Sequence, residues 1–350
     1  MKERPRKDPF SITGMPGQGK PKALQAARKI TRARQTNSMP SEMVSAQQPK
    51  LVVIAGPTAS GKSSLALEVA ETNRGEIIST DSMQVYRGMD LGTAKPTPEE
   101  QQRVRHHQLD LVAPDGHYSA GQYVRDTQRV LADVVSRGRV PVLVGGTGLY
   151  YRALVYGLSE IPEIPETVRQ AVLALQETQG TPACWEALQE LDSEGAAALH
   201  PNDTIRVLRA LEVVQAHGRP IADFRKQRPF SSSLFPVWIG GIEHPRETLI
   251  TRINERTHAM LASGWIEEVE SLLKRYPLDL KPFQAIGYLE IIQHLQGGLN
   301  REAMTLRIQQ RTRQYAKRQM TWFRKEPGFR WFAPENLSAA QQSIQEFLES

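Results

Sequence analysis

Three short stretches of this chain combine residue types that do chemistry only in company. Gly56-Pro57-Thr58-Ala59-Ser60-Gly61-Lys62-Ser63 satisfies the spacing G-x4-G-K-[ST]. The apolar run Leu51-Val52-Val53-Ile54 precedes it, and a helical pattern through Leu65, Leu67, Val69 and Ala70 follows. In that strand–loop–helix setting the glycines let backbone N–H groups close around phosphate oxygens, and the helix N-terminus adds partial positive charge. Lys62 then pairs with the terminal phosphate and Ser63 coordinates Mg2+. The second stretch, Thr80-Asp81-Ser82, ends the strand-like Glu76-Ile77-Ile78-Ser79; the third, Gly145-Gly146-Thr147-Gly148, ends Val140-Pro141-Val142-Leu143-Val144.

What must position these stretches is a parallel sheet. Strand-like runs alternate with helical patterns, and Ser119 with Gln122 reads as a capping box opening a helix with Val124, Leu131, Val134 and Val135 on one side. Open parallel sheets bind ligands beyond the carboxyl ends of their strands, so Lys62, Asp81 and Thr147 are expected in one crevice. There Asp81 suits a general base, with a helix cap or an Mg2+ ligand as its alternatives. Thr147 suits orientation of a nucleophile, or simply a turn. The loop specifies a diphosphate or triphosphate without saying which. Nucleotide hydrolysis normally needs an apolar strand ending in Asp to hold the metal, and the Gly-Gly-Thr-Gly ending argues against it.

Bulk composition bounds the rest. Hydrophobic residues make up 39% and charged residues 23%, the balance of an ordinary globular chain. No apolar run approaches the ~18 residues that span a bilayer. A lone cysteine, Cys184, excludes a disulfide framework and points to a reducing, cytoplasmic setting. The net charge of +6 is a property of the N-terminus: residues 1–50 hold eleven Lys/Arg against Glu3, Asp8 and Glu42, a balance of +8, so the remainder sums to −2. Nucleic-acid binding therefore has to be argued from local patches. Residues 1–49, basic and poor in apolar periodicity, read as a disordered extension; a transit peptide, a bacterial extension and an over-long start ahead of Met39 or Met43 all fit it.

The expected organisation is an α/β core of residues 50–160 and 231–350, interrupted by a helical insertion at 161–230 punctuated by Pro162, Pro165 and Pro182. Beyond Pro245 the pattern is helical to about Lys325, with a break at 277–287. Residues 307–325 carry Arg307, Arg311, Arg313, Lys317, Arg318, Arg324 and Lys325 and no acid. On a helix these cations share one side, and Ile308, Tyr315, Ala316, Met320, Trp322 and Phe323 the other. An acid-free basic stripe suits contact with phosphates, which positions RNA rather than reading it. His106-His107 lacks further ligands at metal spacing and reads as structural or as a substrate contact.

Taken together, these motifs resemble the tRNA dimethylallyltransferase family. The resemblance rests on the phosphate loop, on Asp81-Ser82-Met83-Gln84-Val85-Tyr86-Arg87 with Gly92-Thr93-Ala94-Lys95-Pro96, and on Gly145-Gly146-Thr147-Gly148-Leu149-Tyr150. It continues through His200-Pro201-Asn202-Asp203, Arg206-x-x-Arg209-Ala210-Leu211-Glu212, Gln284-Ala285-Ile286-Gly287-Tyr288 and Thr312-Arg313-Gln314-Tyr315-Ala316-Lys317-Arg318-Gln319, covering about residues 50–330. It implies a P-loop NTPase-like parallel sheet flanked by helices, with an α-helical insertion and a helical C-terminal region. It implies transfer of a dimethylallyl group from dimethylallyl diphosphate to N6 of the adenosine 3′ of the anticodon, with Mg2+ as cofactor and the tRNA anticodon stem-loop as partner. Asp81 then acts on N6 with Thr147 beside it, and Arg256, or Arg252 one turn away, grips the diphosphate. Carried over as RNA contacts are Asp81, Ser82, Met83, Gln84, Thr147, Arg169, Ile205, Arg206, Arg209, Lys281, Phe283, Gln284, Thr312, Arg313, Tyr315, Lys317, Arg318 and Gln319. Ile205 and Leu289 stand where many members carry Gln and a basic residue, which bears on individual RNA contacts and not on the reaction. One cysteine excludes the Cys/His finger of eukaryotic members, so the bacterial form is expected; a monomer is the expected assembly. The competing reading is a nucleotide or nucleoside kinase, sharing the loop and an acid near Asp81; an RNA-binding ATPase or adaptor would have no use for Asp81 and Thr147 at facing strand ends.

Overall fold

The computed structural model describes residues 48–159, 161–226 and 233–350, the side chains of Arg225 and Lys226 excepted. The basic extension expected at 1–49 lies almost wholly outside the described residues. In chain order the elements are β1 (Leu51–Ala55), α1 (Lys62–Thr72), β2 (Gly75–Ser79), α2 (Pro98–Arg103), β3 (His106–His107), α3 (Ala120–Ser136), β4 (Val140–Gly145) and α4 (Gly148–Val155). Then come α5 (Glu166–Leu191), α6 (Ser193–Ala197), α7 (Thr204–His217), α8 (Ile221–Lys226) and β5 (Val237–Ile242). The chain continues with α9 (Arg246–Ala262), α10 (Trp265–Leu273), a 3-10 turn at Lys281–Gln284, α11 (Tyr288–Leu295), α12 (Arg301–Phe323), β6 (Arg330–Phe332) and α13 (Leu337–Glu349).

The six strands form one parallel sheet in the order β3-β2-β4-β1-β5-β6. The inner strands are apolar runs because helices cover both faces and leave no wet side. Register matters most for the site. Ala55 pairs with Gly145 and Ser79 with Val144, so β1, β4 and β2 end at one level. A Thr80 N–H to Val144 C=O bond of 2.7 Å extends that alignment to the residue before Asp81. Loop 56–63, the Asp81 turn and the Gly-Gly-Thr-Gly turn are thereby brought to one edge.

Several local expectations need correction. Ser119 does cap α3 through the Gln122 N–H, but the Gln122 side chain bonds Asp126 rather than reaching back, so only half the box forms. The buried face of α3 is Tyr123, Thr127, Leu131 and Val134, while Val135 is exposed; stacking of Tyr123 on Tyr150 of α4 at 4.2 Å sets the rotation. β3 and β6, only two and three residues long, are edge strands added by pairing to β2 and β5. In α5 the helix is broken at Gly180, whose φ of 82° lies in the left-handed region, ahead of Pro182. The helices of 161–226 have a core of their own, built on Val172, Cys184, Leu188, Val207, Leu211 and Val214.

α12 departs from its two-sided pattern. Its buried residues are Met304, Ile308, Gln309, Ala316, Gln319 and Phe323, two of them polar. Trp322 is exposed and lies under the Arg152 guanidinium at 5.0 Å. The seven cations do not all face solvent freely: Arg311 pairs with Glu290 of α11, Arg313 donates to Asn254 of α9 at 3.1 Å, and Arg324 pairs with Glu243 at 2.8 Å. Among the described residues no helix is long and apolar enough to cross a membrane.

Candidate active site at the phosphate loop

The loop between β1 and α1 needs backbone that only a few residue types tolerate. Gly56 and Gly61 have φ of 140° and 94°, and Ala59 sits at 63°. The first turn of α1 starts at Lys62, so its N–H groups have no helical carbonyl to bond and point at the loop. The carbonyl side of the loop, by contrast, is held from outside. Arg252 Nε donates to the Ala59 carbonyl at 2.8 Å, His244 Nε2 to the Ser60 carbonyl at 2.8 Å, and Arg256 to Thr58 Oγ1 at 3.3 Å. With the Ala59 and Ser60 carbonyls held outward, the unpaired amides at the start of α1 give the loop the polarity an anion requires.

Cations concentrate there. Lys62 Nζ donates to the Pro57 carbonyl at 3.2 Å. Burial and the neighbouring Arg256 charge push its pKa down to about 8, with Asp81 opposing. Burial likewise lowers Arg256, and Asp81 again opposes. Asp81 is therefore the carboxylate facing this cationic cluster. Its Oδ1 accepts from the Met83 N–H at 2.8 Å, and Oδ2 has no hydrogen-bond partner among the described residues. Loop, cluster and Asp81 line one cavity of about 950 Å³.

Thr147 is placed differently from Asp81. Its hydroxyl accepts from the Ser82 N–H at 3.2 Å, reaches Ser82 Oγ at 3.4 Å, and has the Tyr315 hydroxyl beside it. Burial, then the Asp81 charge, pushes the Tyr315 phenol up to about 12, with Thr147 countering. Thr147 thus grips the turn that carries Asp81. Thr80 leaves no room for a Cβ at Gly145, nor does Gln319 at Gly146 or Trp322 at Gly148. Gly145 thus admits the Thr80 turn, and Gly146 and Gly148 let α12 close on the strand end.

The remaining expected contacts divide into exposed and buried groups. Lys281, Gln284, Ile205, Lys317 and Arg318 are exposed. Arg169, Arg206 and Arg209 on the helical insertion each lie beside an acid of their own helix or its cap, Glu166, Asp203 and Glu212. Thr312 spends its hydroxyl on the Ile308 carbonyl at 2.7 Å and lines the cavity. Met83 is partly buried against the apolar cluster around Trp265. Three placements run against a direct contact. Phe283 is fully buried in that cluster and has no side-chain surface to offer. Gln84 accepts from Ser79 Oγ at 2.8 Å and donates to the Thr93 and Ala94 carbonyls at 3.2 and 3.0 Å, which ties the 92–95 loop to β2 instead of presenting an amide to a base. Gln319 is buried, with both ends of its amide bonded internally.

Sequence reasoning missed His244 and Glu268. Glu268 accepts from the N–H groups of Asp90, Leu91 and Gly92 and from the Tyr288 hydroxyl, holding the other side of the 92–95 loop. In sequence it is one of several acids on an amphipathic helix, so nothing marked it. His107 bonds Glu76 at 2.7 Å, which is structural, while His106 bonds the Val104 carbonyl and lines the cavity.

Residues 84–326 match the model of the family described as IPP transferase. The chain belongs to that family. Relatives in the family include a tRNA dimethylallyltransferase of Geobacter sulfurreducens, 44% identical over 300 residues that make up 85% of this chain and 96% of the relative. A second, from Geobacter metallireducens, is 45% identical over 286 residues, 81% of this chain and 93% of that one. The solved tRNA isopentenylpyrophosphate transferase of Bacillus halodurans superposes with a TM-score of 0.65 at 36% identity, over 86% of this chain and 97% of its own. A eukaryotic dimethylallyltransferase solved while acting on tRNA superposes with a TM-score of 0.74 at 27% identity, over 85% and 78%. Family membership makes this chain a prenyltransferase built on the P-loop-like parallel sheet that its motifs implied.

Proposed function

We propose that the chain transfers a dimethylallyl group from dimethylallyl diphosphate to N6 of the adenosine adjoining the anticodon of tRNA, releasing diphosphate. The observation that carries this reading is the unpaired Asp81 Oδ2 facing the same cavity as Lys62, Arg256 and the phosphate loop.

The diphosphate lies on the inward amides of 59–63, with Lys62 and Arg256 against its oxygens. As the bond from C1 to the diphosphate oxygen breaks, negative charge grows on the leaving group, and positioned amides, an ammonium and a guanidinium stabilise it. The N6–C1 bond forms as N6 gives its proton to Asp81, so the reaction balances with diphosphate as the only leaving group. Thr147 holds the Asp81 turn through the Ser82 N–H. An exocyclic amine can reach this point only if its base leaves the stack.

Mg2+ fits the donor set. No trio of His, Cys, Asp or Glu among the described residues could hold a metal. Mg2+, however, commonly takes one or two protein oxygens and completes its shell with phosphates and water, and Ser63 would supply such an oxygen here. Bound there it would neutralise diphosphate charge.

RNA is assigned to the exposed cations of α12 and of the 161–226 helices, and a monomeric, cytoplasmic enzyme is the matching form. The test is incubation with labelled dimethylallyl diphosphate, Mg2+ and tRNA, followed by nucleoside mass spectrometry. Label on N6 of the anticodon-adjacent adenosine is expected. Phosphoryl transfer from ATP to a nucleoside or nucleotide, with no prenylated nucleoside, would establish the kinase instead.

A further inference from the structure

The phosphate loop and the acceptor-activating turn belong to different strands, and the reaction needs them fixed relative to each other within a fraction of an ångström. β1 and β4 do this only up to Ala55 and Gly145, where their pairing ends. Past that point one side chain crosses the gap. Gln319 Oε1 accepts from the Thr58 N–H at 2.9 Å, and its Nε2 donates to the Gly146 carbonyl at 3.1 Å. The residue is only 5% exposed, and a Cβ at Gly146 would occupy the place of Nε2. One turn earlier on the same helix, Tyr315 reaches Thr147.

We infer that Gln319 is a positioning residue that locks the phosphate loop to the Asp81–Thr147 side of the site and makes donor binding depend on α12. The inference rests on the reading of the loop as the diphosphate site. Its force comes from polarity. Thr58 offers a donor and Gly146 an acceptor, and among side chains of this size only a carboxamide or a protonated carboxyl answers both. Methionine fills the volume and leaves both backbone groups buried without partners. Glutamate satisfies Thr58, but sets a carboxylate against the Gly146 carbonyl unless it is protonated, when its O–H can donate in place of Nε2. Gln319 is thus separated from the RNA contact that its motif suggested: it acts from inside α12, while Lys317 is exposed.

The test uses the full chain with Gln319→Glu and Gln319→Met, reading pyrophosphate affinity by calorimetry, tRNA affinity by filter binding, and kcat and KM for each substrate. Pyrophosphate binding needs no turnover, so absence of prenyl transfer in the parent enzyme would sink the proposed function alone. Gln319→Met should weaken pyrophosphate binding and raise the donor KM about tenfold or more, with tRNA affinity within about twofold of the parent. Gln319→Glu should show the same defect relative to the parent at pH 8 and recover most of it towards pH 6, a change in the variant-to-parent ratio beyond the parent's own pH dependence. Parent-like donor KM in both variants, or a loss confined to tRNA affinity, would overturn the inference. If Gln319→Met fails to fold, the pH profile of the near-isosteric Gln319→Glu decides: a variant-to-parent ratio that does not change with pH overturns it.

Discussion

The two halves of this enzyme's site are held by different means. At the phosphate loop each contact has one defined geometry: Arg252, His244, Arg256 and the buried Gln319 each take a particular loop atom. On the face assigned to RNA, Arg169, Arg206 and Arg209 lie beside acids of their own helices or caps, Lys317 is exposed, and Arg318, also exposed, lies over the Tyr315 ring at the cavity. Exposed pairs of that kind contribute little individually, so affinity there is a sum of small, screened terms. The loop half works by preorganisation, where losing one group is costly. The RNA half works by accumulation, where losing one group is tolerated.

The sharpest way to break that contrast is Asp81→Ala. It should lower prenyl transfer by about 10²–10⁴-fold, the range for a general base, with tRNA affinity nearly intact in a filter-binding assay. Loss of tRNA affinity with catalysis preserved would move Asp81 to the other half. Next is Phe283→Ala, which should cost roughly 3–5 kcal/mol in denaturant unfolding because a buried ring leaves a cavity. An RNA-contact residue would instead lose tRNA affinity at unchanged stability.

Donor affinity should then fall as pH rises through about 8. The ammonium of Lys62 is the form that binds anion, burial has brought its deprotonation down to that range, and each further pH unit should weaken pyrophosphate binding by up to about tenfold. The same shift has the opposite sign for folding. A lysine whose pKa is depressed in the native state costs stability most fully below about 8, and that cost is relieved between 8 and its ordinary value of 10.5. Flat donor affinity from pH 7 to 9.5 would remove Lys62 from the anion site. The smallest effect belongs to Lys317→Ala: tRNA affinity should drop by a few-fold, with the salt dependence of log K shallower by about one, while donor KM holds. A hundredfold loss would mean that the RNA face is as preorganised as the loop.

Much of the phosphate-loop half was legible because its signal is local. The spacing of Gly56, Gly61, Lys62 and Ser63 between a strand and a helix states the conformation of the loop. The rule that ligands sit past parallel strand ends was enough to bring Asp81 and Thr147 to the loop. The RNA half was legible only as a charge bias. Helical periodicity sorts residues into faces, but it does not say that Arg311, Arg313 and Arg324 find partners on neighbouring elements.

By itself the sequence determined the strand–loop–helix, the α/β class and the helical character of the chain beyond residue 160, since each follows from composition and spacing within one element. Only the tertiary structure decided which polar side chains face inward. Gln84, Glu268 and Gln319 read as surface residues along the chain and are instead the ties that hold loops together. The physical reason is that a buried amide or carboxylate is set by the backbone groups it must satisfy. Those groups come from strands and loops far away in sequence, and no pattern within a helix records them.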